Sequence, residues 1–289
     1  MPDRDGRPAV LILGGTTEGL ALAEAMTRAF GERLRLVSSL AGVTRPLRLP
    51  PGEVRSGPFG GVDGLVAYLR DEAIDAVIDA THPFAATMSR HARLASEAMG
   101  IRRLVLARPM WRQDPADRWT LVADMAEAAR RLPILGRRAF LTVGARDLQA
   151  FAGMEEAWFL VRLPTAPPDP VPLVHYAVVV GGGGEDEALM AEHRIDVLVT
   201  RASGGRATEA KIGAARRLGL PVLMLRRPPP EPGATVDTIA AALAWFAQKP
   251  SPPSSGGRGL GEGGAEAPKM VPPAPPPHPG PLPLEGERE

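Results

Sequence analysis

The stretch VLILGGTTEG, residues 10–19, followed by LALAEAM, residues 20–26, decides how this chain folds. An apolar run gives way to glycines and hydroxyls, then to apolar residues at helical spacing. That pattern reads as a buried strand, a tight turn and the start of a helix. Such a turn brings free backbone N–H groups and the positive end of a helix to one point, where a phosphate can sit. Gly14 and Gly15 can adopt backbone conformations closed to other residues and let a ligand approach the chain. Thr16 and Thr17 can cap the helix and donate to phosphate oxygens, and Gly19 lets the helix pack close to the strand. The spacing departs from the strict G-x-G-x-x-G fingerprint. The turn by itself therefore reads equally as a phosphate site or as a strand-to-helix connection without a ligand.

The chain has 289 residues, a formal net charge of +1 and no cysteine. Its length suits two α/β domains. Near-neutral charge and an aromatic content of 4% argue against a nucleic-acid partner, which calls for a basic face and stacking platforms. Without cysteine there are no disulfides, no Cys-ligated zinc and no thiolate nucleophile, a composition that suits a cytoplasmic protein. Residues 1–8, MPDRDGRP, lead straight into a strand rather than an apolar signal segment. No run approaches the ~18 apolar residues of a membrane span.

Strands and helices alternate to the end of the ordered sequence, which reads as parallel sheets covered on both faces. The second strand ends in Ser38 and Ser39, where a dinucleotide's adenosine ribose would lie. Neutral hydroxyls with Arg45 nearby suit a 2′-phosphate, hence NADP rather than NAD. The strand over residues 75–80 runs into Thr81, His82 and Pro83, with Pro83 in the first turn of the next helix. The strand over 103–107 leaves through Arg108, Pro109, Met110 and Trp111. A strand at 119–123 and a helix at 124–132 close the first domain, with residues 133–136 as linker. In the second half, a strand over 196–200 ends in Arg201, Ser203, Gly204 and Gly205, and Thr208, Glu209 and Lys211 open a helix. Residues 221–225 form the last strand and 235–246 the last helix. The expected domains are thus 1–134 and 135–247. Residues 248–289, rich in Pro, Gly and Ser, cannot bury enough apolar surface to offset their ordering entropy and read as a disordered tail.

Taken together, ILGGTTEG (12–19), DATHPFA (79–85), RPMW (108–111) and SGGRATEAK (203–211), with LPVLM (220–224) behind them, resemble the precorrin-6A reductase family. The likeness spans about residues 9–247. It implies an α/β fold of two Rossmann-like domains with mainly parallel sheets and the active site in the cleft between them. It implies hydride transfer from NADPH to a double bond of the tetrapyrrole precorrin-6A, giving precorrin-6B for the next enzyme of corrin biosynthesis, with no metal, membrane or nucleic acid involved. The alternative reading is the anaerobic-pathway relative, which acts on the cobalt-bearing substrate with NADH. Carried over by position, Gly14, Gly15, Thr16, Thr17 and Glu18 would hold the diphosphate, and Ser38 and Ser39 would lie near the ribose. Thr81, His82 and Pro83 would lie near nicotinamide and substrate. Ser203, Gly204, Gly205, Thr208, Glu209 and Lys211 would close the site from the second domain. In this chain Val43 stands where relatives have arginine, and Arg45 lies two residues on.

Hydride transfer asks the protein chiefly to align donor and acceptor and exclude water. A polycarboxylate substrate needs cations, and Arg108, Arg146, Arg201, Arg206 and Lys211 fall at strand ends or helix starts. His82 is the best-placed proton donor, with Asp79 three residues earlier. The alternatives are a backbone-bound capping imidazole and a strand-end cap. A non-catalytic dinucleotide sensor would need no polar strand ends over 200–211. A sugar-nucleotide epimerase would need a Tyr-x-x-x-Lys pair, yet Glu72 and Val180 follow Tyr68 and Tyr176 at that spacing.

Overall fold

A computed structural model describes residues 6–40, 48–167, 169–181 and 183–248. The loop holding Val43 and Arg45 and the expected tail from Lys249 onward lie outside these residues. The first strand, β1 (Ala9–Leu13), is buried along its whole length, as an unbroken apolar run between two layers must be. Val10 and Ile12 enter one apolar layer with Leu22, Met26 and Leu36. Leu11 and Leu13 enter another with Val37, Leu65, Leu69 and Val77.

The chain continues through α1 (Thr17–Phe30), β2 (Arg35–Leu40), β3 (Glu53–Ser56), α2 (Gly61–Asp71), β4 (Ala76–Asp79), α3 (Ala86–Met99) and β5 (Arg102–Leu106). It then leaves this sheet for β6 (Arg118–Val122), α4 (Met125–Leu135), β7 (Arg138–Thr142), β8 (Trp158–Leu163) and β9 (His175–Val180). After these come α5 (Asp186–Glu192), β10 (Val197–Arg201), α6 (Ala210–Arg217) and β11 (Pro221–Leu225), and the chain returns for β12 (Ala234–Val236) and α7 (Ile239–Ala247). The sheets have the orders β12-β5-β4-β1-β2-β3 and β6-β11-β10-β7-β8-β9. Every pairing is parallel. Both are doubly wound. The order reverses between β1 and β4 in the first and between β7 and β10 in the second, and ligands gather beyond the strand ends at such reversals.

The sheets redraw the expected boundary at residue 134. β6 pairs with β11 and so belongs, with α4, to the second sheet, whereas β12 pairs with β5 and returns α7 to the first. The first sheet takes its sixth strand from beyond the second crossover, and β6 pairs with β11 about 100 residues on, long-range pairings that local sequence does not encode. Thr235 lies in β12 rather than in a helix, and the three-residue edge strand carries no periodicity of its own. Residues 133–135 are not linker either, because α4 runs through Pro133 to its cap at Gly136, with Leu132 in the core. Pro133 sits in the last turn, where only one intrahelical bond is lost to its missing N–H. Pro83 precedes α3. The Ala85 N–H donates to the His82 carbonyl at 2.7 Å, closing a turn with proline at its second position.

The two crossovers, residues 107–117 and 226–233, are pinned together by Arg227. Its Nε donates to the Ala202 carbonyl at 2.7 Å, its Nη1 to Arg108 O at 2.7 Å, and its Nη2 to Ser203 O and Pro109 O at 2.9 and 3.3 Å. Arg227→Met removes the donors and leaves the carbonyls to water. We expect a loss of about 2 kcal/mol, read as a lower urea midpoint with an unchanged denaturant slope. An unaltered midpoint would show that the crossovers hold without it.

Candidate active site

The glycine turn joins β1 to α1. The Gly14 N–H donates to Ser39 O at 2.9 Å, which fixes the turn against β2. Gly15 has φ +91° with open space where a Cβ would stand. Thr16 is the N-cap of α1. Its hydroxyl accepts from the Gly19 N–H at 3.0 Å and donates to Ala80 O at 2.7 Å, tying the helix start to the end of β4. The Thr17 hydroxyl donates to Glu18 Oε2 at 3.0 Å. The threonine hydroxyls expected to reach a phosphate therefore have partners within the protein, and the donors free to meet an anion are backbone N–H groups at the start of a 14-residue helix. With the open face at Gly15, that donor set fits a dinucleotide diphosphate.

Glu18 would repel such a diphosphate were it not answered. Arg108, leaving β5, places Nη2 2.6 Å from Glu18 Oε2. Burial works to raise the Glu18 pKa, but the Arg108 charge and hydrogen bonds from its own backbone, Arg108 and Thr17 outweigh it, and the carboxyl is held below its ordinary range.

At the end of β2, Ser38 and Ser39 face opposite sides of the strand. The Ser38 hydroxyl is buried and lacks a hydrogen-bond partner. The Ser39 hydroxyl accepts from Arg55 Nη1 at 2.9 Å, its register neighbour on β3. Arg55 also donates to Gly57 O and Pro58 O and lies 3.8 Å from the Phe59 ring centroid. No carboxylate pairs with it among the described residues. Arg55 was not among the expected site residues, because an arginine in a short edge strand reads as surface.

The β4 mouth opens on a cavity of about 620 Å³ walled by Asp79, Thr81, His82, Arg108, Arg227 and the proline run 228–230. Asp79 is buried, and its Oδ1 accepts from the Thr81 N–H and hydroxyl at 3.2 and 2.7 Å. Its Oδ2 faces Arg103 Nη1 at 3.8 Å, and neither atom has a hydrogen-bond partner. His82 Nδ1 accepts from the Phe84 N–H at 3.2 Å, which leaves the ring proton on Nε2. Burial, then the charges of Arg108, Arg201, Arg227 and Lys211, push its pKa down to about 4. The imidazole is neutral at pH 7 and bound to the Phe84 backbone, but it does not cap α3, whose N-cap is Ala85.

The second lobe brings its loop against this edge. Gly205, at φ +76°, lies where an added Cβ would stand 2.8 Å from Arg108 Cδ and 3.1 Å from Glu18 Oε1. Trp111 Nε1 donates to Gly205 O at 2.9 Å, which makes this tryptophan a wall of the junction. Gly204, at φ +65°, passes so close to the Pro109 carbonyl that only glycine fits. Ser203 is buried, and Thr208 donates to Gly204 O at 2.7 Å, bracing the loop. Arg201, at the end of β10, is bidentate to Asp147 Oδ2 at 2.9 and 2.6 Å and lies 5.2 Å from the Phe84 ring of the first lobe. Glu209 does not join this cluster. It is exposed and lines, with Arg206, a groove between α5 and α6. Arg146 is likewise exposed. Arg227 was missed, although the rule that singled out Arg108 applies to it, since it too follows the end of a parallel strand. No helix among the described residues is long and apolar enough to cross a membrane.

Residues 9–247 match the family described as Precorrin-6x reductase CbiJ/CobK. A precorrin-6A reductase of Rhodococcus erythropolis is 50% identical over 241 residues, 82% of this chain and 96% of that protein. A cobalt-precorrin-6A reductase of Salmonella typhimurium is 30% identical over 260 residues, 83% of this chain and 94% of that one. A solved structure described as CobK precorrin-6A reductase superposes with a TM-score of 0.77 at 38% identity, covering 83% of this chain and 96% of its own. This chain, with its two doubly wound sheets meeting at Gly205, therefore belongs to the CbiJ/CobK family of precorrin-6A reductases, oxidoreductases of cobalamin biosynthesis.

Proposed function

We propose that this chain reduces precorrin-6A at a carbon–carbon double bond by hydride transfer from NADPH lying across the carboxyl edge of the first sheet. The observation that carries this reading is the meeting of Glu18, Arg108 and Trp111 at Gly205. A dinucleotide on the glycine turn then faces a macrocycle held by the second lobe. NADPH, when bound, supplies the hydride.

The chain's own residues bind, align and exclude water. Backbone N–H groups of the turn and the first turn of α1 hold the diphosphate, and Arg108 keeps Glu18 from opposing it. The cavity beside the β1–β4 reversal receives the nicotinamide half, with Thr81, His82 and Pro83 on its wall. Asp79 positions Thr81. Arg201 and Arg227 meet substrate carboxylates. Negative charge arriving there offsets the cations that suppress the His82 pKa, which brings the ring toward proton donation through Nε2. NADPH rather than NADH rests on Arg55 and Ser39, a cation and a hydroxyl at the ribose end, where among the described residues no carboxylate pairs with Arg55 to prefer a free 2′-hydroxyl. The metal-free macrocycle is favoured because relatives named for it are 38–50% identical, against 25–30% for those named for the cobalt form.

Single-turnover mixing of enzyme, NADPH and precorrin-6A tests the reaction. Reduced-nicotinamide absorbance should fall together with a shift in the macrocycle spectrum, and NADPH loss without that shift would sink the reading. Arg55→Met should weaken NADPH binding roughly 10- to 100-fold, as loss of charged hydrogen bonds implies, while NADH affinity barely changes. Equal loss for both would locate the 2′-phosphate elsewhere.

The suppressed His82 pKa carries a stability consequence. Between the ordinary value of 6.5 and about 4, the unfolded chain binds the proton that the folded chain refuses. Stability should therefore fall as pH drops through that window, by roughly 2 kcal/mol after allowance for solvent screening. His82→Gln should flatten that part of the pH–stability curve in urea titrations, and an identical curve would refute it.

A further inference from the structure

We propose that Arg103 is a positioning residue for the reduction. Buried beneath the β4 mouth, it ties the second crossover to Asp79 and so sets the spacing of two walls that grip the nicotinamide. This role rests on the placement of the nicotinamide proposed above.

The crossover over residues 226–233 needs such a tie. It supplies one wall of the cavity of about 620 Å³, and the β4 mouth, with Thr81 and His82, supplies another. Residues 228, 229, 230 and 232 are proline and have no N–H to bind a neighbour. Arg227 anchors the beginning of the segment, and the pairing of Ala234 with Leu104 anchors its end. Between these points a carbonyl and a carboxylate hold it. Arg103 donates from Nη2 to the Pro232 carbonyl, and Glu231 Oε2 accepts from Arg93 Nε of α3 at 2.6 Å. At Gly233, with φ +129°, an added Cβ would stand 3.1 Å from Arg103 Nη2, so the backbone lies directly against the guanidinium.

Arg103 reaches the other wall as well. It stands on β5 beside Val77, and Asp79 lies two residues further along β4. Its side chain carries Nη1 to 3.8 Å from Asp79 Oδ2, while Asp79 Oδ1 accepts from the Thr81 N–H and hydroxyl. One guanidinium thus spans from the crossover to the residue that holds Thr81. Burial pulls the Arg103 pKa below its ordinary value, against the charges of Asp79 and Glu231. A buried ion pair adds little stability over apolar side chains of the same volume. What this pair secures is the separation of two segments that border one ligand. A ring between them keeps its orientation only while that separation is fixed, and a displacement of about 1 Å costs on the order of 10²-fold in rate.

The consequence is a split between affinity and rate. Neither the glycine turn nor Arg55 lines this cavity. Loosening the crossover therefore leaves the grip on the diphosphate and adenosine end intact, while the nicotinamide turns and meets water. The loss falls on kcat rather than on cofactor binding.

The full chain with Arg103→Lys and Glu231→Gln tests this. Arg103→Lys keeps a cation facing Asp79 but not the fork that also holds Pro232. Glu231→Gln releases the same segment from α3 at a half-buried position, where the fold is not at risk, and a thermal melt checks both. Calorimetry gives the NADPH affinity, and the emission of the bound reduced nicotinamide reports whether its ring is shielded from water. In the wild type that emission should be stronger and bluer than that of free NADPH. Arg103→Lys should return it most of the way to the free value with Kd changed less than about threefold. Single-turnover hydride transfer to precorrin-6A should then slow roughly 10- to 100-fold. Glu231→Gln should act in the same direction, about 3- to 10-fold. Wild-type emission and rate in Arg103→Lys would overturn the positioning role alone, as would a loss of melting temperature and affinity with emission unmoved. A wild-type complex that emits like free NADPH would overturn the placement of the nicotinamide, and the role of Arg103 with it.

Discussion

The guanidinium of Arg227 holds the junction on which the site depends. Two segments cross between the sheets, and their carbonyls have no strand partners where they pass. The planar fork of an arginine answers four oxygens from both lobes at once, which the single charged tip of a lysine does not do. It thereby fixes the 203–205 loop against Arg108, and Arg108 in turn grips Glu18 at the start of α1. Position passes along this chain of contacts from the second sheet to the glycine turn. A reductase demands such a path, because reacting atoms must be held within about 3–3.5 Å of each other in the right orientation.

The electrostatics follow from the same assembly. Arg108 is matched by Glu18, Arg201 by Asp147 and Arg162 by Asp186, so these cations are anchored before any ligand arrives. Arg227 and Lys211 have no carboxylate of their own among the described residues. The surplus is positive and lies at the carboxyl edge of the second sheet, Arg227 on one cavity and Lys211 on another. It also explains the neutral His82, which is suppressed by burial and by cations supplied from both lobes.

The β1–α1 unit and the polar strand ends were legible in the sequence because they rest on local patterns. An apolar run must be buried, and glycines followed by hydroxyls must turn and cap. Strand partnership was not legible. β6 and β12 join sheets across the crossovers, and a three-residue strand has no period to read. Side-chain direction was also hidden. Ser38 and Ser39 looked equivalent, yet alternation sends one hydroxyl into the core and the other to Arg55. Thr16 looked free to meet a phosphate, but its hydroxyl is taken by the Ala80 carbonyl at the end of β4. The state of His82 could not be foreseen, since most of the charges that set it lie far away in the chain.

The exchange of outer strands bears on how the protein is made. As the chain emerges from the ribosome, the first sheet lacks β12 and the helix that follows it, while the whole second sheet is synthesised. The flank of β5 stays unpaired for that time, a template open to wrong partners. The first lobe cannot be completed alone, and becomes fully assembled only when residues 234–247 have been translated.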